Sequence, residues 1–206
     1  MHVLLINGSP HAKGCTYTAL AEVAGQLERE GITTTITHIG PRPIAPCTGC
    51  RGCFETGYCV VKNDPVNSSI DTAREADGLV VGSPVYYAGP NGSLCCLLDR
   101  MFFGKGDKYA YKPAAAVVSC RRGGASASFD RLNKYFTISG MPVVSSQYWN
   151  AVHGNTPDEV RQDLEGMQIM RTLGRNMAWL LKCLEAARDI VPRPEAEPRV
   201  MTNFIR

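Results

Sequence analysis

The sequence predicts a doubly wound α/β fold, in which helices cover both faces of a parallel sheet. Its 206 residues, 44% of them hydrophobic and 20% charged, suit one domain with a sizeable core. Five apolar runs alternate with five segments of helical periodicity, and we find no internal repeat or low-complexity stretch. Such alternation is typical of parallel sheets, because their crossover connections are usually helices.

The first part of the chain predicts two strands around a helix. Residues 2–6 form a short apolar run that ends at an Asn-Gly-Ser-Pro turn. Apolar residues then recur at helical spacing until Gly31, and threonines alternate with apolar residues over 32–39, as in a strand. Prolines follow before a cysteine-rich segment, which we therefore place in an excursion at 41–63.

The middle of the chain continues the alternation. An Asn-Asp-Pro sequence caps a helix that begins near Val66, and residues 78–82 read as a buried strand. Residues 83–91 are rich in proline and glycine and predict a loop. A third helix follows between Leu94 and Met101, and residues 114–118 form the fourth strand.

The last part predicts a fourth helix around Leu132, a fifth strand that begins at 142–144, and one long helix from Thr156 to Leu181. Residues after Ala187 form a proline-rich tail. The predicted division of the chain is therefore a domain over 1–187 and a tail over 188–206.

Charge and hydropathy exclude several classes of protein. A formal net charge of +3 is too small to indicate nucleic-acid binding. No run approaches the roughly 18 apolar residues of a membrane span, and the first apolar run is too short for a signal peptide. We therefore expect a soluble, cytoplasmic protein without a membrane partner, in which the nine cysteines are thiols or ligands rather than disulfides.

Open α/β sheets bind ligands beyond the carboxyl ends of their strands, so the loops after strands one, three and four are expected to share one crevice. The first loop, residues 8–16, combines hydroxyls, a lysine and backbone amides at a helix N-terminus, which suit a phosphate. It is neither a Walker A loop nor a dinucleotide fingerprint. The alternative is a polar turn in which Thr16 caps the helix.

The second loop has room for a flat ring, and the third adds hydrogen-bond donors at the same edge. Residues 83–92 place two tyrosines beside small residues, although the tyrosines alone are equally typical of a surface loop. Residues 119–124 offer backbone donors and two guanidinium groups at the same sheet edge.

Tyr148 and Trp149 follow the predicted fifth strand. They wall a substrate pocket or a subunit interface, or they have an ordinary packing role. His153 is interpreted as structural or as part of the rim.

Four cysteines form a C-x2-C-x2-C-x5-C array at Cys47, Cys50, Cys53 and Cys59. Glycines between the first three thiols let the backbone turn tightly enough to aim several sulfurs at one point, as an iron-sulfur cluster or a zinc ion requires. The array is therefore a candidate metal site.

The chain resembles the NADPH-dependent FMN reductases of the flavodoxin-like superfamily, especially their iron-sulfur flavoprotein and quinone reductase groups. The resemblance covers most of the chain. It rests on Gly8-Ser9-Pro10 with Gly14 and Thr16, on the run 82–87 that leads to Leu98-Asp99-Arg100, and on the cysteine array with its continuation to Asp64.

The resemblance implies a flavodoxin-like five-stranded sheet of order 2-1-3-4-5 and assembly as a homodimer or homotetramer. It also implies an FMN phosphate on the first loop, the isoalloxazine ring against the second, and further ring contacts from the third. No catalytic side chain is predicted, because the chemistry belongs to the flavin. The residues expected to bind FMN are Ser9, His11, Lys13, Gly14, Cys15, Thr16, Pro84, Val85, Tyr86, Tyr87, Ser119, Cys120, Arg121, Arg122 and Gly123.

Several interpretations of the cysteine array stay open within this family. The resemblance implies a [4Fe–4S] cluster that passes electrons to FMN, but similar loops occur in members without a cluster. The alternatives are a four-cysteine zinc site, redox-active thiols, or a structural wall beside the flavin crevice.

The leading hypothesis is an FMN-dependent oxidoreductase. It would pass electrons from NAD(P)H or a ferredoxin-type donor to a small acceptor such as a quinone, a flavin or a nitro compound. The alternative is a non-enzymatic electron-transfer iron-sulfur flavoprotein. Carrier flavodoxins are typically acidic, so the mild positive charge favours the enzyme. A zinc-stapled binding module without flavin is a third class.

Overall fold

A computed structural model describes residues 1–198 and 200–205. One six-stranded sheet forms the centre of the molecule, and its main path runs β2-β1-β3-β5-β6. The strands are β1 (His2–Asn7), β2 (Thr33–His38), β3 (Gly78–Tyr86), β4 (Gly89–Pro90), β5 (Ala114–Cys120) and β6 (Ala151–His153). The helices are α1 (Cys15–Arg29), α2 (Cys53–Thr56), α3 (Val66–Glu75), α4 (Gly92–Lys105), α5 (Ala125–Ile138), α6 (Pro157–Gln162) and α7 (Leu164–Ala186), with a 3-10 turn at Gly106–Tyr109.

The strands of the main path are parallel, and β4 is an antiparallel addition to β3. Side chains alternate between the two faces of the sheet. On β1, Leu4 and Ile6 join the core under α3, α4 and α5, whereas Val3 and Leu5 join the core under α1 and α7. Because both faces are covered, the central strands β1, β3 and β5 are mainly apolar, whereas the edge strand β2 carries four threonines. The predicted doubly wound fold and its strand order are confirmed, apart from the added β4.

The loop after the third strand differs from the expected irregular segment. β3 continues to Tyr86, turns at Tyr87 and Ala88, and pairs with Gly89–Pro90 as a two-residue hairpin. The proline is tolerated because β4 is an edge strand. The hairpin therefore carries the two tyrosines beyond the sheet.

The fifth strand was predicted at the wrong place. Val143 makes only an isolated bridge to Ala114, and the edge position belongs to β6, which pairs with the end of β5. The polar residues between these two segments leave the sheet, and the chain returns where the backbone oxygen of Asn150 accepts a hydrogen bond from the amide of Val118 at 2.9 Å. Tyr148 and Trp149 therefore precede the strand instead of following it.

The long final helix that the sequence predicts is two separate helices in the structure. α6 ends at Gln162, and Asp163 starts α7 by accepting a hydrogen bond from the amide of Gly166 at 2.9 Å. Aspartate is a preferred residue at such a start, because its carboxylate satisfies an otherwise unpaired amide. Beyond α7, the described residues of the tail belong to no helix or strand. Among the described residues, no helix is both long and apolar enough to cross a bilayer.

Candidate functional site

The loops that follow β1 and β3 are joined by the side chain of Asn91. Its Nδ2 donates to the backbone oxygen of Gly8 at 2.9 Å, and its Oδ1 accepts from the amide of Ser93, which caps α4. Its own amide donates to the Ser83 hydroxyl at 2.9 Å. Asn91 was not among the predicted site residues, although an asparagine before Gly92 at a helix start is a recognisable cap.

The loop after β5 is joined to the other two. The hydroxyls of Thr16 and Ser119 lie 2.8 Å apart and are buried. On the other side, Gly124 has a φ of +89°, and a Cβ there would lie 2.6 Å from the Cα of Ala88. Only glycine permits both this conformation and this approach. The structure thus brings the three loops together at the carboxyl ends of β1, β3 and β5.

The start of α1 has open hydrogen-bond donors. Its N-cap residue is Gly14, no side chain caps it, and its first turn holds no acidic residue. Asn91, Thr156 and Asp163 cap α4, α6 and α7, whereas α3 and α5 begin, like α1, without a side-chain cap. Free amides and the positive end of the helix dipole attract an anion. The alternative in which Thr16 caps α1 is wrong, since its hydroxyl contacts Ser119.

Hydrogen bonds within the loop after β1 fix its shape. The Asn7 side chain is buried and accepts the amide of Ser9 at 3.1 Å, while its Nδ2 donates to the backbone oxygen of Ala12 at 3.2 Å. The Ser9 hydroxyl accepts the amide of His11 at 3.1 Å. These bonds fix the loop before any ligand arrives. Asn7 was missed because the sequence places it in a turn.

The predicted residues of this loop have different environments. Ser9 and Thr16 are buried, Gly14 and Cys15 are half-buried, and burial raises the pKa of the Cys15 thiol. Lys13 is exposed, and its Nζ lies 3.7 Å from the centroid of the Tyr17 ring. The lysine therefore packs on the Tyr17 ring at the surface, just before the start of α1.

The hairpin of the second loop has an unusual backbone. Tyr87 and Ala88 have φ values of 50° and 58°, a region that L-residues rarely occupy. Two-residue hairpins need such angles and normally use asparagine and glycine. Tyr87 is fully exposed and Tyr86 is exposed, while Pro84 and Val85 are half-buried. Strain of this kind is characteristic of functional loops.

The third loop presents Arg121, Arg122 and Gly123 to solvent at the same edge. Cys120, by contrast, is buried, and burial raises the pKa of its thiol. The predicted residues of this loop therefore divide into a buried thiol and an exposed basic rim.

A cavity of about 320 Å³ lies between the third loop and β6. Tyr148 and Trp149 line it with ring centroids 4.7 Å apart, and so do Arg122 and His153. The backbone amide of His153 donates to Asp163 Oδ2 at 2.7 Å, and the histidine is exposed. The two aromatic residues therefore wall a pocket beside the loops.

Cys47, Cys50, Cys53 and Cys59 all line a second, small cavity with Arg100 and Phe103. Burial, followed by the neighbouring thiols, raises the pKa of Cys53. Among the described residues, no cluster of three or more cysteine, histidine or carboxylate side chains is arranged as a metal site. Four thiols around one cavity nevertheless form a donor set that fits iron or zinc.

The cysteine loop and the crevice between the three loops lie at opposite ends of α4. Cys53 packs on Gly104, where a Cβ would lie 2.5 Å from its sulfur, near the C-terminal end of α4. The crevice is at the other end of this helix, beside Asn91. A helix of 14 residues is about 21 Å long. The cysteine array and the crevice are therefore separated by most of the length of α4, and the structural-wall interpretation stays a prediction.

Comparisons with known proteins show which proteins the chain is similar to. The chain is 31% identical over 193 residues to an iron-sulfur flavoprotein of Methanocaldococcus jannaschii, covering 90% of this chain and 100% of that protein. The structure of RosB with bound 8-demethyl-8-formylriboflavin-5'-phosphate superposes with a TM-score of 0.72 at 18% identity, covering 100% of this chain and 94% of that one. A WrbA-like flavodoxin from Agrobacterium tumefaciens gives 0.60 at 16% identity, covering 88% and 96%.

These two solved structures support the flavodoxin-like fold. The family itself follows from the sequence, since a statistical model of the NADPH-dependent FMN reductases matches residues 1–156. The chain belongs to the NADPH-dependent FMN reductase family.

Proposed function

We propose that the protein is an FMN-dependent oxidoreductase that passes electrons from NAD(P)H or a ferredoxin-type donor to a small acceptor such as a quinone, a flavin or a nitro compound. The observation that carries the proposal is the uncapped start of α1, which lies where three interlocked loops meet. When bound, FMN supplies acceptance and release of electrons. The protein has to bind and orient it.

Each loop would contact a different part of FMN. The free amides of Cys15 and Thr16 at the start of α1 would hold the phosphate, and the fixed shape of the loop around Ser9 reduces the entropy lost on binding. Pro84, which has no amide hydrogen, and Val85 offer a half-buried apolar surface to a flat ring.

The third loop and the pocket beside it complete the site. Ser119 is tied to α1, and the exposed amides and guanidinium groups of residues 121–123 can donate to the ring edge. The cavity with Tyr148 and Trp149 is the place that we assign to the small acceptor. An aromatic floor suits a planar acceptor such as a quinone.

A second candidate function is a non-enzymatic electron-transfer iron-sulfur flavoprotein. It is favoured by the single cavity that all four cysteines line, and the relative from Methanocaldococcus jannaschii carries the iron-sulfur flavoprotein name. Cys47, Cys50, Cys53 and Cys59 would hold a [4Fe–4S] cluster, which supplies transfer of one electron at a time.

Steady-state turnover separates the two functions. FMN-loaded protein is mixed with NADH or NADPH and with a quinone, a flavin or a nitro compound. Catalytic oxidation of the nicotinamide supports the oxidoreductase. Stoichiometric reduction of ferredoxin without turnover supports the carrier. An absorption spectrum of anaerobically purified protein, with iron and sulfide assays, reports the flavin and the cluster independently.

The proposed phosphate site in the loop after β1 is tested by Ser9→Leu and Lys13→Glu. We expect both to weaken FMN binding, because the first fills the buried centre of the loop and the second places a negative charge near the phosphate. Unchanged FMN retention in both variants would contradict the proposal that this loop holds the phosphate. We also propose that the protein is cytoplasmic and assembles as a homodimer or homotetramer. Light scattering on the purified protein measures the oligomeric state.

A further inference from the structure

Arg100 is a buried cation between α4 and the cysteine loop. Only 3% of the residue is exposed. Its partner Asp64 lies between the loop and α3, and the two side chains are 1% and 9% exposed. A charge at this depth is stable only when it is paired and its donors are satisfied. Both terminal guanidinium nitrogens of Arg100 donate to the Asp64 carboxylate.

The remaining donors of Arg100 reach both ends of the cysteine loop. Nη1 donates to the backbone oxygen of Ala45 at 3.2 Å, just before the first cysteine. Nη2 donates to the backbone oxygen of Val61 at 2.9 Å, just after the last one. The guanidinium therefore clamps the base of the loop.

The third guanidinium nitrogen of Arg100 donates a hydrogen bond to a cysteine sulfur. Nε donates to Cys59 Sγ at 3.0 Å. Because the guanidinium is planar and rigid, the bidentate pair with Asp64 also fixes the direction of the Nε–H bond. Asp64 is in turn held by the amide of Val66, which donates to its Oδ1 at 3.2 Å. Arg100 is thus oriented to place one N–H on one of the four thiols.

We propose that Arg100 is a positioning residue that sets the place of the Cys59 thiolate and raises the reduction potential of a [4Fe–4S] cluster held by Cys47, Cys50, Cys53 and Cys59. The inference rests on the proposed cluster. One-electron reduction, with dithionite as the donor, adds one negative charge to the cluster and its thiolates. An N–H bond to a ligand sulfur stabilises this more negative form.

Arg74 provides a matched control. It also holds the cysteine loop, since its Nη2 donates to the backbone oxygen of Gly57 at 2.7 Å and its guanidinium lies 4.7 Å from the Tyr58 ring centroid. Its hydrogen bonds reach no sulfur among the described residues. Arg74→Lys therefore loosens the loop without removing a sulfur contact.

The experiment compares the wild-type protein, Arg100→Lys, the pair Arg100→Gln with Asp64→Asn, and Arg74→Lys. Each is reconstituted anaerobically with iron and sulfide, its iron is counted per chain, and its midpoint potential is measured by a redox titration followed by EPR. Arg100→Lys keeps the ion pair but removes the Nε donor. The double variant removes both charges together, so its net charge is unchanged and it leaves no buried carboxylate unpaired.

We expect both Arg100 variants to have more negative potentials than the wild type, while Arg74→Lys keeps the wild-type potential. Equal potentials in all four proteins would overturn the role of Arg100 and leave the cluster intact. An equal negative shift in Arg74→Lys would also overturn it, because loop loosening would then explain the effect. A wild-type protein that takes up no iron would overturn both the inference and the cluster, whereas its flavin spectrum tests FMN separately.

Discussion

The hydroxyl oxygens of Thr16 and Ser119 lie 2.8 Å apart in the interior, although 103 residues separate them in the chain. This contact fixes the start of α1 against the end of β5. The backbone amides of α1 are therefore held at a constant place beside the third loop. Because the hydroxyl of Thr16 makes this contact, backbone amides are the groups that would hold the phosphate in the proposed FMN site.

The Thr16 contact gives the first prediction. Thr16→Val leaves the Ser119 hydroxyl buried without its partner, which should lower the free energy of unfolding by about 1–2 kcal/mol. Ser119→Ala should do the same, and the double variant should cost less than the sum, because neither orphaned hydroxyl remains. Urea unfolding of the four proteins measures this coupling. Strictly additive losses would show that the hydroxyls do not interact.

Asn91 gives the second prediction. Asn91→Ala removes the cap of α4 and the donor to the Gly8 oxygen, so we expect a loss of about 2 kcal/mol in stability. Because the first two loops also come apart, the dissociation constant of FMN should rise. Thermal unfolding and quenching of FMN fluorescence measure the two effects.

The control for Asn91 is Thr156→Ala, which removes the cap of α6. It should lower stability by about 1 kcal/mol and leave FMN affinity unchanged. A weakened affinity in the control as well would mean that general destabilisation, rather than the tie between the loops, governs binding.

The layers of the fold were predictable because they depend on local patterns. Val3, Leu5 and the neighbouring residues of β1 form a short apolar run that both faces of a sheet require. The convergence of the loops followed from topology, since parallel strands end at one edge. What a parallel sheet dictates can therefore be read from apolar periodicity alone.

The features that were missed depend on distant partners. β6 is only three residues long and is held by backbone bonds to β5, which no periodicity reveals. The hairpin at Tyr87 and Ala88 lacks the asparagine and glycine that normally signal such a turn. Arg100 would be expected on the surface, and its burial depends on distant partners, chiefly Asp64, which lies 36 positions away.

Alkaline pH gives the third prediction. Burial raises the pKa of Tyr109 to about 12, whereas a free tyrosine ionises near pH 10. Between these values the unfolded chain loses a proton that the folded protein keeps, so stability falls as pH rises. The loss from this residue between pH 9 and pH 11 should be about 1.4 kcal/mol.

Tyr109→Phe should remove that part of the alkaline loss, because the ring still packs on Phe102 at a centroid distance of 5.1 Å in the native structure. Urea unfolding at pH 9 and pH 11 measures it. The control is Tyr148→Phe, at an exposed tyrosine. Between pH 9 and pH 11 this variant should lose as much stability as the wild type does. The same loss in Tyr109→Phe would contradict the prediction.

The hairpin turn gives the last prediction. Ala88 has a φ of 58°, which costs an L-residue roughly 1–2 kcal/mol. Glycine adopts this angle without strain but loses more entropy on folding, by about 0.5–1 kcal/mol. Ala88→Gly should therefore raise the free energy of unfolding by up to about 1.5 kcal/mol. FMN binding should weaken, because the turn that holds Tyr86 and Tyr87 becomes freer.

Ala187→Gly is the control for the turn, since Ala187 has a φ of −91° and glycine relieves nothing there. This variant should be slightly less stable than the wild type. Chemical unfolding without FMN, followed by FMN titration, separates the two effects of Ala88→Gly. A loss of stability in Ala88→Gly would show that the turn is unstrained, whereas a gain with unchanged FMN affinity would show that its strain serves the fold and not the flavin.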